Sequence, residues 1–373
     1  MSAHAAALLD WLACAYGGRE QRAARTARAA GDGLLERVAW LGTAGHVLDF
    51  DDTYLPGIAH LSAPTAPAAI AVAAALDLSV GDVLDAHAAG FEAMGELSRS
   101  HRLYEGGWHP TAVCGAFGAA HAAARLLGLD DERTAAAGRL ALLQAGGLRA
   151  AFGSDGKSLQ VGMAAAAGVH AARIAAGGAV VAPDVLDAPD GFAAAFGAAR
   201  DGSEGAAVEQ NWIKPWPCCL MSHSAIEATA RADLGPDAGP IAVTVHPVAR
   251  RAAAYDEVAD GLQAKFSIPY LVAYVVLHGE PDPASFDGVD PEVQEHARSH
   301  VRVATDEALR EAEAVIAVGR EEVARVPAAR GSPERPMSAD ELAAKCAMLA
   351  GDRLDGLLDE RSAPAQVLLD ALA

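Results

Sequence analysis

Alanine sets the strongest limit on this fold. It recurs in runs such as "AAIAVAAAL" (68–76), "GAAHAAARLLG" (118–128) and "GMAAAAGVHAAR" (162–173). Alanine is the best helix former, and small apolar side chains in long runs favour helices that pack closely. Hydrophobic residues make up 52% of the 373-residue chain, but only 5% are aromatic. The core must therefore be filled by close helix contact rather than by large rings.

The layout agrees up to about residue 200. "PAAIAVAAALDLSVGDVLDAHAAGFEAMGELSRSH" reads as a helical hairpin joined at "LDLSVGD", and "TAVCGAFGAAHAAARLLGLDDERTAAAGRLALLQAGG" reads as a second, joined at "GLDD". Past residue 235 the period changes. "GPIAVTVHP", "SHVRVATD" and "AEAVIAVGREEV" alternate as strands do. "QAKFSIPYLVAYVVLHG" predicts a helix starting near Pro269, and "SADEL" is a capping box that opens a final helix pair. The expected fold is mainly α. It comprises a helical domain over 1–230, a smaller inserted α+β domain over 231–335, and helices over 336–373 that return to the first domain.

A net charge of −20 argues against nucleic-acid binding, which needs a basic surface. No apolar run has a membrane-spanning pattern, and the N-terminus lacks the basic region of a signal peptide. The five cysteines show no zinc or redox spacing. The expectation is a cytoplasmic protein with reduced thiols. GxGxxG, GxxxxGK[ST], HExxH and GxSxG are all absent, and no spacing marks a metal site.

What stands out is "HVLDFDDTYLPGIAHLSAP" (46–64), which crowds Asp49, Asp51 and Asp52 between two histidines in an apolar setting. Buried titratable groups need a reason. Four basic groups also stand at predicted helix starts: His60 before "LSAP", His109 before Pro110, Lys157 after "GSDG", and Lys214 before a helix beginning near Cys218. Helix N-termini attract anions, so these four suit a di- or tricarboxylate. The bland alternative is that each group is a cap or a solvated charge. The histidines at 4, 87, 101, 121, 170, 246, 278, 296 and 300 have no partner that spacing reveals and read as structural.

Together these segments resemble the MmgE/PrpD family. "DFDDTYLPGIAHLSAP" is similar to its DFDDTH…HPSAP signature, "GSDGKSLQVGMAAAAG" to its K-x-L-x-x-G-x-A-A segment, "KPWPCC" to KPYPCC and "AKFSIPY" to AKFSLPY. "GGWHPTAVCGAFGAAHAAARLLGLD" follows the family's G-x-H-x-T run, and the order along the chain is kept. The resemblance implies a helical domain with an α+β lid, a homodimer, and neither metal nor cofactor. It implies Asp49, His60, His109, Lys157 and Lys214 as catalytic residues. Thr53, Tyr270, Cys219, His223 and Gln160 would contact substrate. Gln160 stands where relatives commonly carry histidine, Tyr54 where many carry a second histidine, and Leu61 replaces the proline of HPS. The lid is expected to be trimmed.

The implied activity is that of a lyase on a small di- or tricarboxylic acid, of the 2-methylcitrate dehydratase kind. cis-Aconitate-type decarboxylation and epimerisation use the same parts. A non-catalytic carboxylate binder and a purely helical scaffold are the readings from other classes. A base near neutral pKa and fixed positive charge at a developing anion are what the chemistry requires. His60 and His109 would divide the base and acid roles, with Asp49 orienting a histidine.

Overall fold

The structure, a computed structural model, describes residues 1–99, 102–197 and 205–373; His101 lies outside the described residues. The fold is mainly α and divides into two compact units: Met1–Ile213 with Ser338–Ala373, and Lys214–Met337.

In the first unit, α1 (Ala3–Gly18) and α2 (Leu34–His46) precede the acidic turn. The two expected hairpins follow, α3 (Ser62–Ala75) with α4 (Val80–Ser98) and α5 (Pro110–Leu126) with α6 (Asp131–Leu142). The reciprocal capping box of Ser79 and Asp82 starts α4, and the Asp130 carboxylate accepts from Arg133 N–H at 2.9 Å to start α6. The long α7 (Gly156–Ala176) packs against α2, α5 and α6.

Glycines make these contacts close. Where α2 crosses α7, the Cα of Gly162 faces Gly42, and a Cβ on Gly162 would collide with the Ala39 carbonyl oxygen. This crossing decides the site, because α2 ends at His46 and α7 begins one residue before Lys157.

The second unit holds α8 (His223–Ala232), α9 (Ile268–His278) and α10 (Pro291–His300) with a four-stranded sheet. Its strands are β1 (Ile241–Val245), β2 (Val301–Thr305), β3 (Ala314–Val318) and β4 (Glu321–Val326). β1 is central, parallel to β2 and antiparallel to β3, and β3 turns into β4 through Gly319 at φ 63°. The run "AEAVIAVGREEV" is thus a hairpin rather than one strand. The unit begins at Lys214 instead of 231, because α8 packs on β3, β4 and α9. Glu227 of α8 also accepts from Arg330 N–H at 2.8 Å and pairs with Arg335 at 2.7 Å, tying down the segment that follows β4.

The chain then re-enters the first unit. Ser338 and Glu341 form the capping box expected at "SADEL", which opens α11 (Ala339–Ala350), and α12 (Gln366–Leu372) ends the chain. α11 packs on α1. None of the five cysteines is in a disulfide, and all are buried. Among the described residues no helix is long and apolar enough to cross a membrane.

Two features of the first unit make measurable demands. Placing a methyl at the tightest crossing, Gly162→Ala, has to push α7 from α2; overpacking of this kind costs about 1–3 kcal/mol, read as a lower urea midpoint. An unchanged midpoint would mean that the crossing is not tight. His87 on α4 is fully buried, with Nε2 3.2 Å from Ser62 Oγ and no hydrogen-bond partner for Nδ1. Burial, then His4, pulls its pKa from 6.5 to about 3. Below pH 6.5 the unfolded chain takes up a proton that the folded chain refuses. The stability tied to His87 is therefore complete above pH 6.5 and falls with pH by about 1.4 kcal/mol per unit. Urea midpoints of His87→Leu should depend less on pH between 6.5 and 4 than those of the parent; parallel curves would contradict the assignment.

Candidate functional site

The turn after α2 brings the acids back beneath the end of that helix. Asp49 takes φ 54°, a left-handed conformation that aspartate tolerates better than most residues. Lys157, in the first turn of α7, donates through Nζ to Asp49 Oδ1 at 2.7 Å and to His46 Nε2 at 3.0 Å. His46 Nδ1 meets Asp51 Oδ2 at 2.8 Å. The same oxygen lies 3.1 Å from His60 Nδ1. Thr53 Oγ1 is 3.4 Å from that nitrogen, and His60 Nε2 faces Asp49 Oδ1 at 3.7 Å. The His60 backbone N–H donates to Thr111 Oγ1 at 3.1 Å, so the first turn of α5 tethers the chain two residues before α3. The His46 ring meets His60 edge-on at 4.5 Å and lies nearly parallel to His109 at 5.8 Å.

Hydrogen-bond partners fix the tautomers. Lys157 can only donate, so His46 accepts at Nε2 and carries its proton at Nδ1, toward Asp51. Asp51, ionised, likewise calls for a proton on His60 Nδ1, which leaves Nε2 as the nitrogen that gains or loses one. His109 is held the opposite way. Gln160 Oε1 accepts from Leu148 N–H at 3.0 Å while its Nε2 donates to the Leu148 carbonyl at 3.3 Å, which settles the amide orientation. That Nε2 then donates to His109 Nδ1 at 2.6 Å. The neutral His109 ring therefore carries its proton at Nε2.

Electrostatics support this division. Burial pushes the Asp51 carboxyl up, but the His46 and His60 rings beside it prevail and hold it well below the usual range. Burial, then Lys157 and His46, keeps His109 well below the ordinary histidine value. Burial also lowers His46, against the pull of Asp51. Asp52 goes the other way. Burial, then Asp51 and Asp10, raises its carboxyl well above normal, although Oδ2 accepts from Asn211 Nδ2 at 2.9 Å. Of these adjacent acids, one is held low by its histidine partners and the other is pushed up by burial and its acidic neighbours.

Six of the expected residues gather in the first unit: Asp49, Thr53, His60, His109, Lys157 and Gln160. Asp49, Thr53, His60 and Lys157 retain 4–7% exposure, whereas Asp51 has none and His46 1%. The first four are more exposed than those two, and His109, like His46, retains 1%. The other four expected residues belong to the second unit. Lys214 is buried there, but the helix after it begins at His223, not near Cys218, so Lys214 does not stand at a helix start. Pro215 and Pro217 disfavour helix in the residues before them, the stretch 215–218 bends so that Cys218 N–H donates to the Trp216 carbonyl at 2.9 Å, and the Cys219 N–H donates to the Lys265 carbonyl at 3.0 Å. His223 Nε2 reaches the Cys218 carbonyl at 3.2 Å, and the Tyr270 hydroxyl accepts from Asp290 N–H at 3.0 Å. Ser62 is the first helical residue of α3, and its hydroxyl meets His87.

His46 and Thr111 were not expected at the site. The signal for His46 was its place five residues before Asp51; Thr111 is the threonine of the G-x-H-x-T run, which marked its position but not its bond to the His60 N–H. Among the described residues, His46, Asp51 and His60 are also the group whose donor atoms come close enough to share a metal ion. The Nδ1–Oδ2 distances of 2.8 and 3.1 Å fit N–H···O bonds better than the roughly 3.3 Å edge of a tetrahedron at zinc–ligand length. The Lys157 ammonium 3.0 Å from His46 Nε2 opposes a cation there.

The MmgE/PrpD N-terminal domain profile matches residues 35–204, and the MmgE/PrpD C-terminal domain profile matches 216–370. The chain is 31% identical to human cis-aconitate decarboxylase over 204 residues, covering 51% of this chain and 42% of that protein. It is 33% identical to the mouse cis-aconitate decarboxylase over 162 residues, covering 42% and 33%. The matched stretches thus span less than half of either relative. With both domain profiles matched in order over most of its length, this chain belongs to the MmgE/PrpD family.

Proposed function

We propose that the protein is a cofactor-independent lyase that moves a proton at carbon next to a carboxylate of a small di- or tricarboxylic acid. The observation that carries this reading is the opposed pair of imidazoles. His60, with Asp51 on Nδ1, is built to exchange a proton at Nε2. Asp51 beside one ring nitrogen and Asp49 beside the other meet the positive charge that such a proton brings. His109 plays a different part. A neutral imidazole is a poor proton donor but a good hydrogen-bond donor, so its Nε2–H would stabilise negative charge developing on a carboxylate or a leaving hydroxyl. Lys157 adds the fixed positive charge. One histidine carries the proton and the other binds the anion, instead of sharing acid and base work equally.

In the 2-methylcitrate dehydratase-like form, His60 Nε2 takes the proton from carbon, the electron pair forms the double bond, and the hydroxyl leaves as water with that same proton. Decarboxylation is the second reading, favoured by the names of the two relatives. There the carbon–carboxylate bond breaks, CO₂ leaves, and protonated His60 delivers a proton to the carbanion. Lys214, Cys219, His223 and Tyr270 are proposed to contact the substrate. The enzyme is proposed to act as a cytoplasmic homodimer that tolerates chelators, which sizing and turnover in EDTA would check.

Incubation with 2-methylcitrate, citrate and cis-aconitate in deuterated water, followed by NMR, separates loss of water, loss of CO₂ and exchange at carbon. With no turnover, protection by these acids against thermal unfolding would indicate a binder; no turnover and no protection would sink the carboxylate reading altogether. On a substrate that is turned over, His60→Ala should lower kcat by about 10²–10⁴-fold. Gln160→Glu presents an acceptor to His109 Nδ1 and so reverses its tautomer. The expected loss is about 10²-fold or more in kcat, and wild-type turnover in this variant would refute the role given to His109.

A further inference from the structure

The site depends on a turn with an unfavourable backbone, since Asp49 is left-handed at φ 54°. The next residue, Phe50, is buried and separates Asp49 from Asp51 in the sequence. Its carbonyl oxygen accepts from Lys345 Nζ at 2.7 Å, and the same Nζ lies 3.8 Å from the Phe50 ring centroid. Lys345 sits on α11, 295 residues further along the chain, and retains 3% exposure. Its Nζ pairs with Asp10 Oδ1 of α1 at 2.5 Å. One buried ammonium therefore joins the first helix, the acidic turn and the helix formed after the inserted unit. Burying such a charge is expensive, and an apolar side chain would fill the space at less cost. An apolar group cannot donate to a carbonyl, and a charge-assisted hydrogen bond holds it more firmly than a neutral one.

We infer that Lys345 is a positioning residue for the site: by gripping the Phe50 carbonyl it sets Asp49 toward Lys157 and Asp51 toward the two imidazoles. Its effect on rate rests on the proposed function, but its effect on the rings does not. Removing Lys345 alone would leave Asp10 charged and buried, which endangers the fold. The double variant Asp10→Leu/Lys345→Met replaces the ion pair with apolar side chains of similar size, an exchange that proteins often tolerate. It should fold, with a thermal midpoint near that of the parent. Histidine ¹⁵N spectra should then show the Nδ1–H signals of His46 and His60, sharp in the parent, weakened by exchange with water. Turnover should drop about 10²-fold in kcat with KM within about twofold, as a displacement of about 1 Å at a catalytic group produces. Lys345→Arg, which keeps a charged donor, should recover part of both. A folded double variant with parental ring signals and parental kcat overturns the inference. The ring spectra need no substrate, so a parent protein that turns over no carboxylate would defeat the proposed function and leave this test standing.

Discussion

A single carboxylate oxygen, Asp51 Oδ2, receives Nδ1 of both His46 and His60, at 2.8 and 3.1 Å. Everything else in the site follows from holding that oxygen ionised and dry. An isolated buried carboxylate would neutralise itself. Here two rings satisfy it, and it in turn settles where each ring carries its proton. His46 then passes the constraint to Lys157, and Lys157 to Asp49. Charge and hydrogen-bond direction thus run in one closed set from a fully buried acid to side chains at the accessible edge. Asp52, next in the chain, stands outside that set: its carboxylate accepts from Asn211 Nδ2 instead, and burial with Asp51 and Asp10 pushes its pKa up.

Much of this was legible in the sequence, and the reasons differ by residue. The alanine runs announced the bundle because helix propensity and small size act locally. The two hairpins and the "SADEL" helix start followed from capping chemistry, which spans only a few residues. His109 before Pro110 and Lys157 near the start of α7 could be read for the same reason. The roles of His46 and Asp51 could not, because they depend on the crossing of α2 and α7, and that is set by contact between Gly42 and Gly162, 120 positions apart. The start of α8 was placed too early because nothing local shows that Cys218 and Cys219 spend their backbone N–H groups on the Trp216 and Lys265 carbonyls instead of on a helix.

Gln160 shows how a substitution within a family pattern can keep a site coherent. An amide fixed on both sides by the Leu148 backbone has one direction left for its remaining N–H, and that direction is His109 Nδ1. A histidine in this place could present either a donor or an acceptor. Glutamine, so anchored, presents a donor alone.

The inserted unit also imposes an order on synthesis. Residues 1–213 contain every ring and acid of the cluster, yet the lysine beneath Phe50 is added only after residues 214–337 have been made. At ordinary rates of translation that is a delay of roughly 6–25 s. A nascent chain can therefore assemble its glycine-packed helices while the acidic turn still lacks its anchor from α11. The site is completed by a segment that arrives after the inserted unit, so a protein without α11 would keep the helices that bear the histidines and lose the support that aligns them.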